Sequence, residues 1–120
     1  MSLLLFWLAY TKGWILTNFD SVSKSEAISL LEDDNNITLL DVRSIEEYKV
    51  GHLQNATLIP IDKLEENLHK LENVKDKKIL VYCRSGSRSM QASRILESHG
   101  FVVLNLKRGI SEFKKEELVR

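Results

Sequence analysis

A hydrophobic run passes into a polar turn within the sequence Ile79-Leu80-Val81-Tyr82-Cys83-Arg84-Ser85-Gly86-Ser87-Arg88-Ser89, which is the strongest indication of the fold. The apolar run predicts a buried strand, because a strand covered on both faces shows no polar alternation. From Arg88 onward, apolar residues at helical spacing predict an amphipathic helix that Gly100 ends. This order indicates an α/β domain with Cys83 at the carboxyl end of a strand.

Cys83 is the only cysteine of the chain, and its surroundings favour a thiolate. Free N–H groups and the positive end of the helix dipole converge where a helix begins, and both stabilise an anion. The turn 85–87 lets successive N–H groups face inward as an anion-binding nest, and Gly86 adopts a positive φ without penalty. Arg84 and Arg88 add positive charge. The pattern therefore predicts a lowered thiol pKa and nucleophilic chemistry.

The two arginines each keep more than one interpretation. Arg88 lies at the start of the helix, where its guanidinium either braces the loop or binds an oxyanion through two N–H groups. Arg84 has the same two roles open to it, or it faces solvent.

Further apolar runs predict strands that alternate with helices. The predicted strands are 37–40, 57–59 before Pro60, 79–82 and 101–106. Continuous apolar strands alternating with helices predict a mostly parallel sheet that is covered on both faces. Ligands bind such sheets at the carboxyl ends of strands, and Cys83 lies at one of those ends.

Three capping boxes predict three helices. In a capping box, two residues at a helix start each accept, through the side chain, a hydrogen bond from the other's backbone N–H. The boxes are Ser23 with Glu26, Ser44 with Glu47, and Asp62 with Glu65. The first helix ends in the polar run 33–36, the second before Gly51, and the third near residue 71. A last helix follows Gly109, with Ile110, Phe113 and Leu118 as its apolar anchors.

The composition predicts one domain, at residues 20–120. A chain of 120 residues can bury its own hydrophobic core. Seventeen Lys and Arg residues balance seventeen Asp and Glu residues, so no overall charge indicates nucleic acid as a partner. A lone cysteine forms no internal disulfide and builds no zinc site by itself.

The segment 1–19 is strongly apolar, with Lys12 as its only basic residue. A membrane span needs about 20 apolar residues, and a signal peptide has a basic start and a small-residue cleavage site, so neither fits. Three interpretations of residues 3–16 stay open: the remnant of a longer membrane anchor, a segment in the membrane interface, or a packing segment. Lys12 favours a cytoplasmic domain, attached to the inner face of the cell membrane if the segment is an anchor.

Three stretches together resemble the motifs of rhodanese-like sulfurtransferases. The first is the loop 83–89, and the third is Asn-Leu-Lys-Arg-Gly-Ile at 105–110. Between residues 41 and 60 lie an Asp-x-Arg after a strand, a Glu–aromatic pair, Gly-His, and a short strand that ends at proline. The resemblance covers residues 22–117. The departures are Asn55 and Arg108, each in place of a glycine, and Phe113 in place of a tryptophan, which we expect to alter packing at one edge and the pocket rim.

The resemblance implies a central, mostly parallel five-stranded sheet flanked by helices on both faces. It also implies that Cys83 takes a sulfane sulfur from thiosulfate, polysulfide or a persulfide and passes it from a Cys83 persulfide to a thiol or to cyanide. The implied binding loop comprises Arg84, Ser85, Gly86, Ser87, Arg88 and Ser89. Asp41, Arg43 and Glu47 are implied to brace this side through ion pairs, and no metal or cofactor is required.

Two other functions compete with sulfur transfer. Cysteine phosphatases and arsenate reductases have a related fold, but they need one residue more between cysteine and arginine than the four found between Cys83 and Arg88. A noncatalytic rhodanese-like module would bind a partner or sense peroxide through a sulfenic acid on Cys83. His52, beside the Gly51 turn, is interpreted as structural, and His69 and His99 carry no functional signal.

Overall fold

The computed structural model describes residues 19–33 and 36–120. Its strands are β1 (Asp20–Val22), β2 (Ile37–Asp41), β3 (Thr57–Leu58), β4 (Lys78–Tyr82) and β5 (Val102–Leu106). Its α-helices are α1 (Lys24–Asp33), α2 (Ile45–Val50) and α3 (Ser87–Ser98). Segments of 3₁₀-helix cover Ile61–Lys63, Glu65–Val74, Gly109–Glu112 and Lys115–Glu117.

The five strands described here form one parallel sheet in the order β1-β5-β4-β2-β3. The predicted α/β fold with a five-stranded sheet is therefore confirmed. The predicted strands 37–40, 57–59, 79–82 and 101–106 correspond to β2, β3, β4 and β5, whereas the sequence pattern does not predict β1. It has three residues, and only Val22 among them is buried. The order places β4 at the centre of the sheet, with the Cys83 loop at its carboxyl end.

Helices cover both faces of the sheet, as predicted, and the strands send alternate side chains into two separate cores. From β4, Ile79 and Val81 enter one core, together with the inner sides of α3 and of the 3₁₀ segment Glu65–Val74. Leu80 and Tyr82 enter the other core, which includes apolar residues of α1, α2 and the C-terminal segments. Because both faces of β4 are buried, its sequence reads as an uninterrupted apolar run.

Helix starts were predicted with mixed success. Ser23 with Glu26 and Ser44 with Glu47 form the expected reciprocal hydrogen bonds. The box of Asp62 with Glu65 is wrong, because the two 3₁₀ segments there begin after Pro60 and Leu64 without a side-chain cap.

The last predicted helix is also wrong in type, since two short 3₁₀ segments follow one another instead of a single α-helix. Its anchors nevertheless act as predicted, because Ile110 is buried in the second core and Phe113 and Leu118 pack against it. Gly100 ends α3 in the left-handed conformation, as predicted, and its N–H donates to the Glu97 carbonyl.

The apolar segment predicted at residues 1–19 lies outside the described residues apart from Phe19. In the part of the chain that the structure describes, no helix is both long and apolar enough to span a membrane. The three interpretations of the segment stay predictions.

Candidate active site

Cys83 follows β4 directly, and its side chain is buried, with 1% of its surface exposed. Two backbone N–H groups donate to its sulfur, from Gly86 at 3.1 Å and from Ser89 at 3.3 Å. The thiol itself donates to Ser89 Oγ over 3.5 Å. The loop thus curls around the sulfur and presents hydrogen-bond donors to it, as an anion-binding nest does.

Two opposing effects set the acidity of the Cys83 thiol. Burial raises its pKa, because a thiolate loses solvation in the interior. The hydrogen bond with the Ser89 side chain and those from the backbone N–H groups of Ser89, Gly86 and the neighbouring Ser85 lower the pKa and together outweigh burial. The net pKa is therefore below that of an ordinary thiol, which enlarges the thiolate population at neutral pH.

The other loop residues divide between support and exposure. Gly86 has φ +112°, which only glycine adopts at little cost, and it places its N–H toward the sulfur. Ser89 is buried and its hydroxyl donates to the Gly86 carbonyl at 3.0 Å. The side chains of Ser85 and Ser87 face solvent. The loop therefore holds sulfur mainly by backbone and by Ser89.

Arg88 braces the loop through an ion pair with Glu47, and its guanidinium is not free to bind an oxyanion. Its two terminal nitrogens donate to the two carboxylate oxygens of Glu47 at 2.7 and 3.0 Å. Glu47 also accepts the N–H and hydroxyl of Ser44, which caps α2. The hydrogen bonds from Arg88 lower the pKa of Glu47 to about 2, against a smaller opposing effect of burial. This pair ties α2 to the first turn of α3.

Asp41 and Arg43 form a second pair at the end of β2. Arg43 donates to both Asp41 oxygens, at 2.7 Å in the shortest contact, and donates to the Gly51 carbonyl at 2.8 Å. The guanidinium also lies 5.6 Å from the centre of the Tyr82 ring. The pair therefore braces the carboxyl edge of the sheet, as expected. Glu47, the third residue expected to brace this side, forms its ion pair with Arg88.

Sequence reasoning missed how closely the turn at residues 107–111 lies behind the loop. Ile110 N–H donates to the Cys83 carbonyl at 2.9 Å, and Ser111 N–H donates to the Arg84 carbonyl at 3.0 Å. The motif at 105–110 predicts only altered packing at an edge and at the pocket rim, whereas the structure places this turn directly against the Cys83 loop. The sequence signal for this contact is the pair of glycines Gly86 and Gly109, because glycine lets two backbones approach closely.

A groove of about 430 Å³ opens beside the loop, lined by Arg43, Glu47, Val50, Arg84, Ile110 and Ser111. Arg43 and Glu47 are engaged in the ion pairs described above. The exposed Arg84 guanidinium has no hydrogen bond or ion pair with any residue that the structure describes. Of the three interpretations of Arg84, bracing of the loop is therefore not what the described residues show, while the side chain is exposed as the third interpretation expects, and binding of an oxyanion stays a prediction.

The histidines stand apart from this chemistry. His52 stacks on Tyr48 with ring centres 3.7 Å apart, and its backbone pairs with Val119. The His99 ring forms a hydrogen bond with the carbonyl of Ile95, at the C-terminal end of α3. Among residues 19–33 and 36–120, no group of three or more His, Cys, Asp and Glu side chains is arranged to hold a metal ion.

Comparison with known proteins assigns the fold to a class. Residues 23–116 match the sequence profile described as the rhodanese-like domain, and the chain belongs to that family. A rhodanese-like domain protein from Staphylococcus aureus is 29% identical, with a TM-score of 0.77 over 84% of this chain and 97% of that one.

Two similar proteins are much longer than the matched region. A tRNA uridine(34) hydroxylase of Pectobacterium atrosepticum is 34% identical over 104 residues, which are 82% of this chain and 29% of that protein. An NAD-dependent persulfide reductase from A. fulgidus is 33% identical, with a TM-score of 0.63 over 89% of this chain and 18% of that one. The chain spans about three tenths of the length of the curated relatives it matches.

Proposed function

We propose that the protein is a sulfurtransferase that carries a sulfane sulfur on Cys83. The observation that carries this proposal is the buried Cys83 sulfur held by the N–H groups of Gly86 and Ser89. Hydrogen-bond donors directed at this position stabilise a thiolate, and they also stabilise the anionic outer sulfur of a persulfide. Membership in the rhodanese-like family supports the same chemistry.

The reaction has two displacement steps at sulfur. The Cys83 thiolate attacks the outer sulfur of thiosulfate, so that a sulfur–sulfur bond forms on Cys83 and sulfite leaves with the bonding electron pair. An acceptor thiolate then attacks the outer persulfide sulfur, which leaves Cys83 as a thiolate and the acceptor as a persulfide. Neither step consumes an oxidant, and neither needs a general base once Cys83 is ionised.

The environment of Arg88 supports sulfur transfer over phosphate chemistry. A phosphatase loop uses its arginine to bind the equatorial oxygens of the phosphoryl group through two N–H groups. Here both terminal nitrogens of Arg88 are engaged by Glu47. The short spacing from Cys83 to Arg88 points the same way, because a tighter loop suits one added sulfur atom.

A second candidate function comes from the curated relatives, which are named tRNA uridine(34) hydroxylases. The chain covers about three tenths of those proteins, so the activity in their name is that of proteins much longer than this chain. The balanced charge of the chain supplies no long-range attraction for RNA. A small sulfur donor and a thiol acceptor, in the cytoplasm, are therefore the partners we propose.

The decisive experiment is intact-mass spectrometry after incubation with thiosulfate, a polysulfide and a low-molecular-weight persulfide. We expect one added sulfur atom that a thiol removes, together with thiocyanate formation when cyanide is the acceptor. Because Cys83 is the only cysteine, Cys83→Ser leaves no site for a persulfide and should lose both signals. An unmodified mass with every donor would overturn the proposal and favour a noncatalytic binding or peroxide-sensing module.

A further inference from the structure

The turn at residues 107–111 touches the outer side of the Cys83 loop through backbone atoms. The N–H groups of Ile110 and Ser111 donate to the carbonyls of Cys83 and Arg84, at 2.9 and 3.0 Å. Gly86, on the same loop, lies against the Lys107 carbonyl, and a Cβ on Gly86 would overlap that oxygen. These contacts exist only because the two backbones approach unusually closely.

Gly109 permits that approach. It has φ +62°, and a Cβ at this position would lie 2.5 Å from the Cys83 carbonyl oxygen and 2.6 Å from that of Arg84. Both obstacles are backbone atoms, so no side-chain rotation relieves the overlap. Any other residue at position 109 must push the Cys83–Arg84 peptide away or break the two hydrogen bonds to it.

A displacement of the Cys83–Arg84 peptide changes the position of the sulfur relative to its N–H donors, because only a short stretch of chain lies between them. Only Arg84 and Ser85 separate Cys83 from Gly86, and the Gly86 N–H lies 3.1 Å from the sulfur that it stabilises. Hydrogen bonds weaken steeply as distance and angle depart from their optimum, so a small shift of the peptide weakens this donor. The second donor, Ser89 N–H at 3.3 Å, lies in the first turn of α3, so a shift of the sulfur relative to that helix weakens this hydrogen bond as well.

We propose that Gly109 is a positioning residue for Cys83: it lets the turn at 107–111 seat against the loop and so keeps the N–H groups of Gly86 and Ser89 aimed at the sulfur. The residue touches no substrate and acts through the loop backbone. Its effect on sulfur transfer rests on the proposed function, whereas its effect on thiol reactivity does not.

The test measures the rate at which iodoacetamide alkylates Cys83 as a function of pH, in Gly109→Ala and Gly109→Asn. The alkylation rate reports the ionised fraction of Cys83, because the thiolate is the form that reacts and Cys83 is the only cysteine. We expect both variants to shift the pH profile upward and to slow alkylation at neutral pH by about tenfold. Asparagine tolerates a left-handed φ but still carries a Cβ, so the Asn variant separates the close contact from backbone strain.

Gly100→Ala is the matched control. Gly100 also has a positive φ, +89°, but a Cβ there meets only the flexible end of the Lys75 side chain at 3.3 Å. The control should lose stability and keep the wild-type alkylation profile. A folded Gly109 variant with a wild-type profile, or an equal shift in Gly100→Ala, would overturn the proposal.

A measurement on the unaltered protein covers the case in which neither Gly109 variant folds. Amide hydrogen exchange should show the Gly86 and Ser89 amides opening at rates similar to those of Ile110 and Ser111, because loop and turn form one unit. Loop amides that exchange far faster than the turn amides would contradict the proposal. Slowed alkylation in the variants together with no persulfide in the wild type would retain Gly109 as a positioning residue and reject sulfur transfer.

Discussion

Two arginine–carboxylate pairs flank Cys83, and they differ in burial and in what they connect. Asp41 and Arg43 are neighbours on one segment, with 0% and 6% of their side chains exposed. Glu47 and Arg88 are 41 residues apart, and 28% and 35% of their side chains are exposed. The first pair holds the end of one strand, while the second joins two helices across the mouth of the site.

The difference in burial determines how each pair contributes to the free energy of unfolding. A buried charge that loses its partner keeps its full desolvation cost, so a buried pair matters most when it is broken. A half-exposed charge that loses its partner regains water, and salt screens the attraction. The buried pair is therefore expected to behave as a fixed part of the fold, and the half-exposed pair as a tie whose strength depends on pH and salt.

The largest expected effect comes from breaking the buried pair with Asp41→Asn. This change preserves the shape of the side chain but leaves the Arg43 guanidinium buried without a counter-charge. We expect the free energy of unfolding, measured by urea titration, to fall by about 3 kcal/mol. That value is at the lower end for buried pairs because the amide oxygen that the substitution leaves at position 41 still accepts a hydrogen bond from Arg43.

Asp62→Asn is the control for that change, since Asp62 is exposed and makes no ion pair among the described residues. It should alter the free energy of unfolding by less than about 0.5 kcal/mol. An Asp41→Asn protein as stable as the control would show that the buried pair contributes little to stability, which contradicts the contrast drawn between the two pairs.

A smaller effect is expected when the half-exposed pair is broken with Glu47→Gln. The change removes the charge that binds Arg88 and weakens the cap that Glu47 provides to Ser44. We expect a loss of about 1 kcal/mol in the free energy of unfolding, combining a partly screened ion pair with a weakened cap. The adjacent Glu46, exposed in the same helical turn, supplies the matched control Glu46→Gln.

Local signals in the sequence predicted the elements that are stabilised locally. The apolar runs of β2, β4 and β5 and two of the capping boxes depend on residues close together in the chain, and they are confirmed. β1 escaped prediction because its stability comes from backbone pairing with β5, which a three-residue sequence does not reveal. The 3₁₀ segment after Pro60 escaped because propensity and capping rules do not separate it from an α-helix.

The site divides in the same way. The nest around Cys83 was predictable because its donors lie within six residues of the sulfur. The partner of Arg88 was not, since pairing it with Glu47 rather than with a bound anion depends on how α2 packs beside α3. The contact of Gly109 with the loop likewise depends on two backbones that meet only in the folded protein.

The pH dependence of stability separates the Glu47 pair further. The pKa of Glu47 is about 2 in the folded protein, whereas an unfolded glutamate titrates near 4.3, so the folded state binds this proton less readily. The stabilising contribution is therefore complete above the unfolded pKa and is lost as the pH falls from about 4.5 toward 2. The stability difference between wild type and Glu47→Gln should shrink over that range; a constant difference would assign it to packing rather than to charge.

Salt gives the smallest effect. Raising the ionic strength from low salt to about 1 M reduces the Debye length to about 3 Å, which screens charges that water can reach. The stability difference between wild type and Glu47→Gln should fall by a few tenths of a kcal/mol, because both partners are partly exposed. The difference between wild type and Asp41→Asn should stay constant, since ions do not reach a pair that is almost fully buried. Equal salt sensitivity of the two differences would mean that water enters around Arg43, and the buried pair would then be no more rigid a part of the fold than the exposed one.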